Sequence, residues 1–336
     1  MLSDALTTEP LMSVLDLTKL KKGDRVQHPL MVQARDERAT KDGKPFVTLS
    51  LGNRTGSVDV APIWQERLDW VDGVQPGKLV QVIGNVTTYK DKRQLELAGP
   101  LRVLPMEGQS LNDFLPAITE DPVRLWDWID KERAALKSKP LKAVLDLFFG
   151  DDDFRARLER TPGAPRGHHA LVGGLLLHVV EVAGIGKSTA KVMRADPELV
   201  LTGALLHDIG KVEAYAIEPG GFTNTQAGFL LGHIVLGSLM LERKLPLLPP
   251  GTLSDSQTLE LHHFIQSHHG ILEYGAAVPP MTVEAEILHW ADESSAKASS
   301  MAEVIGRDEH FALGGAFSIR KPFPVDKRVW RRPHGW

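Results

Sequence analysis

A chain of 336 residues with 42% apolar and 24% charged residues has the composition of a soluble globular protein, long enough for two domains. It contains no cysteine, which excludes disulfides, thiolate metal sites and a cysteine nucleophile, and leaves His and carboxylate as the ligands for any transition metal. The net charge of −4 does not advertise a nucleic-acid binder, but residues 1–105 hold 15 Lys and Arg against 13 Asp and Glu, residues 106–336 hold 24 against 30, and twelve of the 13 histidines lie in the second part.

The opening MLSDALTTEP lacks the basic start and apolar core of a signal peptide. No apolar run approaches the ~20 residues of a spanning helix, so a cytoplasmic protein with no membrane partner is expected. From about residue 20 to 105 the chain reads as strands and turns: RVQHPLMVQARDERAT, the turn KDGK, PFVTLSLGNRTGSVDVAPIW, then GKLVQVIGNVTTYKDKRQLELAGPLRVL. Apolar and polar residues alternate, and β-branched residues are common. Five strands in this order, with a short helix expected over residues 64–73 (WQERLDWVDG), resemble an OB-fold barrel. MEGQSLNDFLPAITED reads as a linker.

Beyond it the period becomes helical. VRLWDWIDKERAALKS, PLKAVLDLFFGDDDFRARLER, GGLLLHVVEVAGIGKSTAKVM, PELVLTGALLHDIGK, AGFLLGHIVLGSLMLERKL, SQTLELHHFIQSHHG and TVEAEILHWADESSAKASSMAEVI all carry apolar faces at i, i+3, i+4. Breakers at Asp196-Pro197, Gly220-Gly221, Pro249-Pro250 and Pro279-Pro280 separate them.

Each apolar helix from about residue 170 onward carries a metal-ligating side chain. They are His178, the adjacent His207 and Asp208, His233, His268 with His269, and Asp292. A lone histidine on an apolar helix is more often a core residue bonded to a carbonyl. Five segments doing this together are different, because burying several imidazoles and two carboxylates is costly unless a divalent cation compensates. Neighbours on one turn diverge by about 100°, so His207 and Asp208 cannot both point straight into one site. They can flank a cation pair lying beside the helix, with the carboxylate bridging two ions. His178, His207, Asp208 and Asp292 together resemble the H…HD…D pattern of the HD superfamily of metal-dependent phosphohydrolases. By that resemblance His233 and the HHG of His268 to Gly270 belong to a dinuclear subset and hold a second ion, with His268 and His269 both candidates. Lys211 is placed to pair with a substrate phosphate or to offset a helix C-terminal dipole. His168 and His169, beside Arg166, are read at the start of the helix carrying His178, where phosphate would be favoured. His262, His263 and His289 are read as packing or supporting groups.

Two such ions suit phosphate-ester hydrolysis by an activated water. In the first half Phe46, Trp64 and Tyr89 stand among basic turn residues, including Lys90, Lys92 and Arg93, an arrangement suited to single strands. The order DGKPFVTLSLGNRTG, VIGNVTTYKDKRQLEL, GHHALVGGLLLHVVEVA, LLHDIGKV, LLGHIVLG, SHHG and EAEILHWADESSAK resembles the YhaM-type 3′→5′ exoribonucleases over about residues 15–324. The resemblance implies a multidomain β + α chain. An OB-fold nucleic-acid-binding barrel over 1–105 and a linker over 106–122 precede an all-α HD domain over 123–324 and a basic, aromatic tail over 325–336. It further implies two divalent ions, Mn²⁺ first with Co²⁺, Fe²⁺ or Zn²⁺ as other fits, and single-stranded RNA as substrate with single-stranded DNA beside it. A homo-oligomer is also expected. Two other functions remain open here: an HD phosphohydrolase of small nucleotides or cyclic dinucleotides, and a non-enzymatic single-strand or replication-site DNA-binding factor. The tail VDKRVWRRPHGW departs from the family pattern and is read as RNA-gripping, subunit-packing or flexible.

Overall fold

The computed structural model describes residues 15–89, 92–105, 114–218, 221–312 and 314–335. The chain divides into two compact units, residues 1–109 without 90–92, and residues 110–336 together with 90–92.

The first unit is a closed barrel. Strands β1 (Arg25–Ala39), β2 (Pro45–Asn53) and β3 (Gly56–Val60) form an antiparallel meander. β4 (Ile63–Trp64) pairs with β2, β6 (Lys92–Leu97) runs parallel to β3, and β5 (Leu79–Tyr89) lies between β6 and the short β7 (Arg102–Leu104). Closure comes from the length of β1. Its first half pairs with β5, from Arg25↔Asn85 to Met31↔Leu79, and its second half pairs with β2 across a bulge between Val32 and Ala34. A three-stranded meander, a connecting helix, and a hairpin whose last strand lies parallel to the third is the OB-fold arrangement. The inward positions are β-branched or Leu: Val26, Leu30, Val47, Leu49, Leu51, Val58, Val80, Val82 and Leu95 are all buried in one core. The connecting helix is a 3₁₀ segment, Gln65–Val71, kinked at Arg67, and its Leu68, Trp70 and Val71 pack on that core.

The second unit is helical: α1 (Pro122–Ala134), α2 (Lys139–Phe149), α3 (Asp152–Arg160), α4 (Gly174–Met193), α5 (Pro197–Leu206), α6 (Lys211–Ala214), α7 (Gln226–Lys244), α8 (Asp255–Ser267) and α9 (Val283–Gly306). Polar caps start most of them. Asp196 accepts from the Glu198 and Leu199 amides ahead of α5, and Ser254 forms a capping box with Gln257 ahead of α8. The stretch read as one helix over 140–160 is two, since Gly150 closes α2 and Asp151 caps α3. A small hairpin, β8 (Tyr215–Glu218) with β9 (Gly221–Asn224), stands where only a break was expected. Helix α5 is buried on every side from Val200 to Leu206, and α4 packs against both α5 and α9. Its C-terminus therefore delivers the next residues into the interior of the unit.

The tail is not a loose end. Val329 is fully buried against Val304 and Phe311, the Val329 amide donates to Ser318 Oγ, and the Arg331 guanidinium stacks 4.0 Å over the Phe311 ring. Burial of one valine and stacking of one arginine fasten this segment to the end of α9. No described helix is long and apolar enough to cross a membrane.

Candidate metal centre

The interior end of α5 supplies the middle of the site. His207 is the C-cap of α5, and its ring folds back so that Nδ1 donates to the Ala204 carbonyl at 2.7 Å. His268 is the C-cap of α8 and does the same with the Ile265 carbonyl at 2.8 Å. Carbonyls of a last helical turn lack helical partners, so each histidine satisfies one and is thereby fixed with Nε2 facing away from the helix. His269 Nδ1 donates to the Tyr274 carbonyl at 2.7 Å. His178 comes from the second turn of α4 and Asp292 from α9. His233 depends on a break in α7: Gly232, at φ 72°, interrupts the helix one residue earlier. Gly210 sets the depth, because a Cβ there would stand 2.0 Å from the His233 carbonyl oxygen.

These segments, spread over more than a hundred positions, converge on the Asp208 carboxylate, which is 1% exposed. Oδ2 lies 3.1 Å from His207 Nε2, 3.3 Å from His178 Nε2 and 2.6 Å from Lys211 Nζ. Oδ1 faces the other way, 3.4 Å from His233 Nε2 and 3.6 Å from His268 Nε2. Asp292 Oδ1 is 3.1 Å from His178 Nε2. Two ligand groups result, His178–His207–Asp208 and His233–His268–His269, each with donor atoms within 4.8 Å of one another. Asp208 Oδ1, His233 Nε2 and His268 Nε2 are buried without a hydrogen-bond partner. Each such atom costs about 1–3 kcal/mol. Lone pairs converging on one point from imidazole and carboxylate fit a divalent cation.

The charge states agree with that donor set. Burial alone would raise the Asp208 carboxyl, but Lys211 and His207 hold it well below the usual carboxylate range. Burial is likewise outweighed at Asp292, lowered by its hydrogen bond with His178. Burial pushes His233 down to about 3 and His268 well below its ordinary value, so both are neutral with Nε2 available. His178 is the exception. Burial opposes its charge, yet Asp208 and Asp292 push it up to about 9, leaving an imidazolium between two carboxylates. A metal-ligating histidine must shed that proton, and a cation among the same carboxylates would take over its charge.

Several site expectations are corrected here. Lys211 is buried, and its ammonium is paired with the Asp208 carboxylate at 2.6 Å. His168 and His169 do not open α4, which starts five residues after His169. His169 is buried, with a left-handed backbone (φ 53°), and its Nε2 lies 3.1 Å from Glu181 Oε2, an acid rather than an anion pocket. Burial pushes His168 down to about 4, so near neutral pH it offers hydrogen bonds and no charge, its ring 6.2 Å from that of His178. Arg166 is exposed beside a separate cavity of about 310 Å³ lined also by Glu303, Arg307 and Phe323.

In the barrel, Phe46, Trp64 and Tyr89 line one groove of about 790 Å³, the first two rings 5.0 Å apart. Trp64 and Tyr89 are 48% and 60% exposed, as stacking platforms must be. The sequence reading missed Trp70 and Arg67 in the same groove, the guanidinium 4.7 Å from the Trp70 ring. Their signal was a second tryptophan inside the expected helix. Lys92 is exposed at the start of β6, and Lys90 lies outside the described residues. Arg93 is not a free cation: its Nη1 donates to the carbonyls of Thr18 and Leu20, both at 2.9 Å, and ties the N-terminal segment to the barrel.

Also missed were Ser295 and Glu181 behind His178. His178 Nδ1 is 3.0 Å from Ser295 Oγ, which donates to Glu181 Oε2 at 2.6 Å. Burial would raise the Glu181 carboxyl, but His169 and Ser295 hold it below its usual value. Each stands three residues after a ligand, on the same helix face. His289 Nδ1 donates to the His268 carbonyl at 2.9 Å. His263 instead accepts from the Met281 amide, and His262 pairs with Glu242.

Residues 175–297 match the HD domain family. The 3′-5′ exoribonuclease YhaM of Bacillus subtilis (strain 168) is 30% identical, with 93% of this chain and 96% of that relative covered. The proteins of the same name from Oceanobacillus iheyensis and Listeria welshimeri are 28% and 29% identical, with 93% and 94% of this chain and 95% and 98% of the relatives covered. Among solved structures, the second OB-fold domain of replication protein A from Methanococcus maripaludis is 21% identical with a TM-score of 0.22, covering 27% of this chain and 93% of that one. Similarity to the three exoribonucleases runs through both the barrel and the helical unit. The chain belongs to the YhaM family of 3′-5′ exoribonucleases.

Proposed function

We propose that this protein is a metal-dependent 3′→5′ exoribonuclease that removes nucleotides stepwise from single-stranded RNA, with single-stranded DNA as a second substrate. In this reading residues 1–105 bind the strand, 106–122 link, 123–324 cut, and 325–336 brace the end of the helical unit. The observation that carries it is the division of one buried carboxylate, Asp208, between two sets of imidazoles.

Two divalent ions bound there would supply an activated water, a polarised phosphoryl oxygen and a neutralised leaving oxygen. His178, His207 and Asp292 would hold one ion, His233, His268 and His269 the other, and Asp208 both. A set of imidazoles and carboxylates without thiolate suits Mn²⁺, Co²⁺, Fe²⁺ or Zn²⁺, and the resemblance to the exoribonucleases puts Mn²⁺ first. Lys211 keeps a cation beside the bridging carboxylate, within reach of a phosphate oxygen of the bound strand. His168, neutral and half-buried, adds a hydrogen bond at the same edge. Phe46, Trp64 and Tyr89 stack bases, a contact that tolerates any sequence. The apolar run Phe229, Leu230 and Leu231 exposed on α7 supports a homo-oligomer.

The test is single-stranded RNA and DNA labelled at the 5′ or the 3′ end, incubated with a panel of divalent ions and resolved at nucleotide resolution. A ladder of shortened 5′-labelled RNA that vanishes with chelator is expected. Intact oligonucleotide beside hydrolysed small nucleotides would replace this reading with the small-nucleotide hydrolase, and tight binding without cleavage under any ion would replace it with the DNA-binding factor.

A further inference from the structure

The two halves of the centre are supported in different ways. Behind His207, His268 and His269 stand neutral main-chain carbonyls, those of Ala204, Ile265 and Tyr274. Behind His178 stands a charge: Nδ1 donates to Ser295 Oγ at 3.0 Å, and that hydroxyl donates to Glu181 Oε2 at 2.6 Å. Two helices are laced together by this chain. Glu181 sits three residues after His178 on α4, Ser295 three residues after Asp292 on α9, so a ligand from one helix is supported by a hydroxyl from the other. His169 Nε2, 3.1 Å from Glu181 Oε2, holds the same carboxylate oxygen that Ser295 contacts, and Ser299 Oγ lies 3.4 Å from it.

The direct ligands differ too. One position is faced by two imidazoles and two carboxylates, Asp208 Oδ2, whose charge Lys211 Nζ partly offsets at 2.6 Å, and Asp292 Oδ1, which the other position lacks. The other is faced by imidazoles and a single carboxylate oxygen, Asp208 Oδ1. More negative charge near a cation strengthens its binding. A carboxylate relayed onto a ligating histidine makes its other nitrogen more basic, which a carbonyl does less well.

Resting on the metal reading above, we propose that the two ion positions are inequivalent. Glu181, acting through Ser295, is a positioning residue that makes the His178–His207–Asp208–Asp292 position the tighter one. The position at His233, His268 and His269 is then the one that empties first as free ion falls.

Calorimetric titration of the full-length, metal-free chain with Mn²⁺ tests this without reference to turnover. Wild type should bind two ions in two resolved steps, and His233→Ala should retain the tight step. Glu181→Gln keeps the shape of the side chain and removes its charge; it and Ser295→Ala should weaken the tight step by about 10- to 100-fold, the usual range for supporting partners of a ligand. Ser295→Thr, which keeps the hydroxyl, should restore it. A merely structural role for Glu181 would lower the melting temperature of the metal-free chain and leave both binding steps in place. Two equal affinities in wild type, or Glu181→Gln and Ser295→Ala titrations that superimpose on it, would overturn the inference while leaving the centre standing. If Glu181→Gln fails to fold, the Ser295→Ala and Ser295→Thr pair makes the same comparison. A wild-type chain that takes up no Mn²⁺ would overturn the metal reading itself and this inference with it.

Discussion

Asp208 Oδ1 lies 3.6 Å from His268 Nε2, and both atoms are buried without a hydrogen-bond partner. The separation exceeds a hydrogen bond, so the two face each other across a gap that neither closes. The other oxygen of the same carboxylate is crowded by His178, His207 and Lys211. One side chain thus serves two ligand groups, and the hydrolytic account depends on it more than on any other residue.

Replacing it should therefore remove chemistry and spare the fold. Asp208→Ala is expected to lower the rate of RNA hydrolysis by about three orders of magnitude, equivalent to ~4 kcal/mol of barrier at 1.36 kcal/mol per tenfold. The far-ultraviolet circular dichroism should stay helical. Near-normal turnover would refute a bridging role.

Removing the ions should also be visible in stability. A ligand present at a hundred times its dissociation constant stabilises the native state by ~2.7 kcal/mol per site. At roughly 2–4 °C per kcal/mol for a domain the size of the helical unit, chelation should lower its melting temperature by about 5–10 °C per site lost. Excess Mn²⁺ should restore it. An unchanged melting curve in scanning calorimetry would count against a site of that affinity.

The barrel groove makes a separate claim about binding. Trp64→Ala and Tyr89→Ala should each weaken long single-stranded RNA by about 1–3 kcal/mol, the usual worth of one stacked base. Hydrolysis of a dinucleotide, too short to rely on the groove, should keep its kcat. Fluorescence anisotropy and initial rates measure the two, and equal loss of both would make these rings part of the scaffold.

Lys92 and Arg93 are neighbours in sequence with opposite expected behaviour. Lys92→Ala should reduce the slope of log affinity against log salt by about 0.7 if it neutralises one phosphate of a single strand. Arg93→Ala should lower the melting temperature of the barrel and leave the slope alone, because its Nη1 bonds the carbonyls of Thr18 and Leu20. A flattened slope for Arg93→Ala would reverse that assignment.

That pair shows where reading from sequence stops. The convergence of His178, His207, Asp208, His233 and Asp292 was legible because each sits on, or just past the end of, an apolar helix, where an uncompensated polar group is costly. The barrel order was legible because strand alternation and Asp-Gly or Lys-Asp turns are local signals. What could not be read was the partner of any long side chain. Arg93, His169 and Lys211 all look like free cations or donors in one dimension. Their partners (distant carbonyls, Glu181, and Asp208 three residues away) are chosen by packing. The docked tail was illegible for the same reason: nothing local marks Val329 as the residue that fills the space beside Val304 and Phe311.

The most direct test of the central claim is anomalous scattering at the manganese edge from crystals of the Mn²⁺-loaded protein. Two peaks are predicted, one on each side of the Asp208 carboxylate, the first among His178, His207 and Asp292 and the second among His233, His268 and His269. A single peak, or manganese anywhere else with this pocket empty, would contradict it.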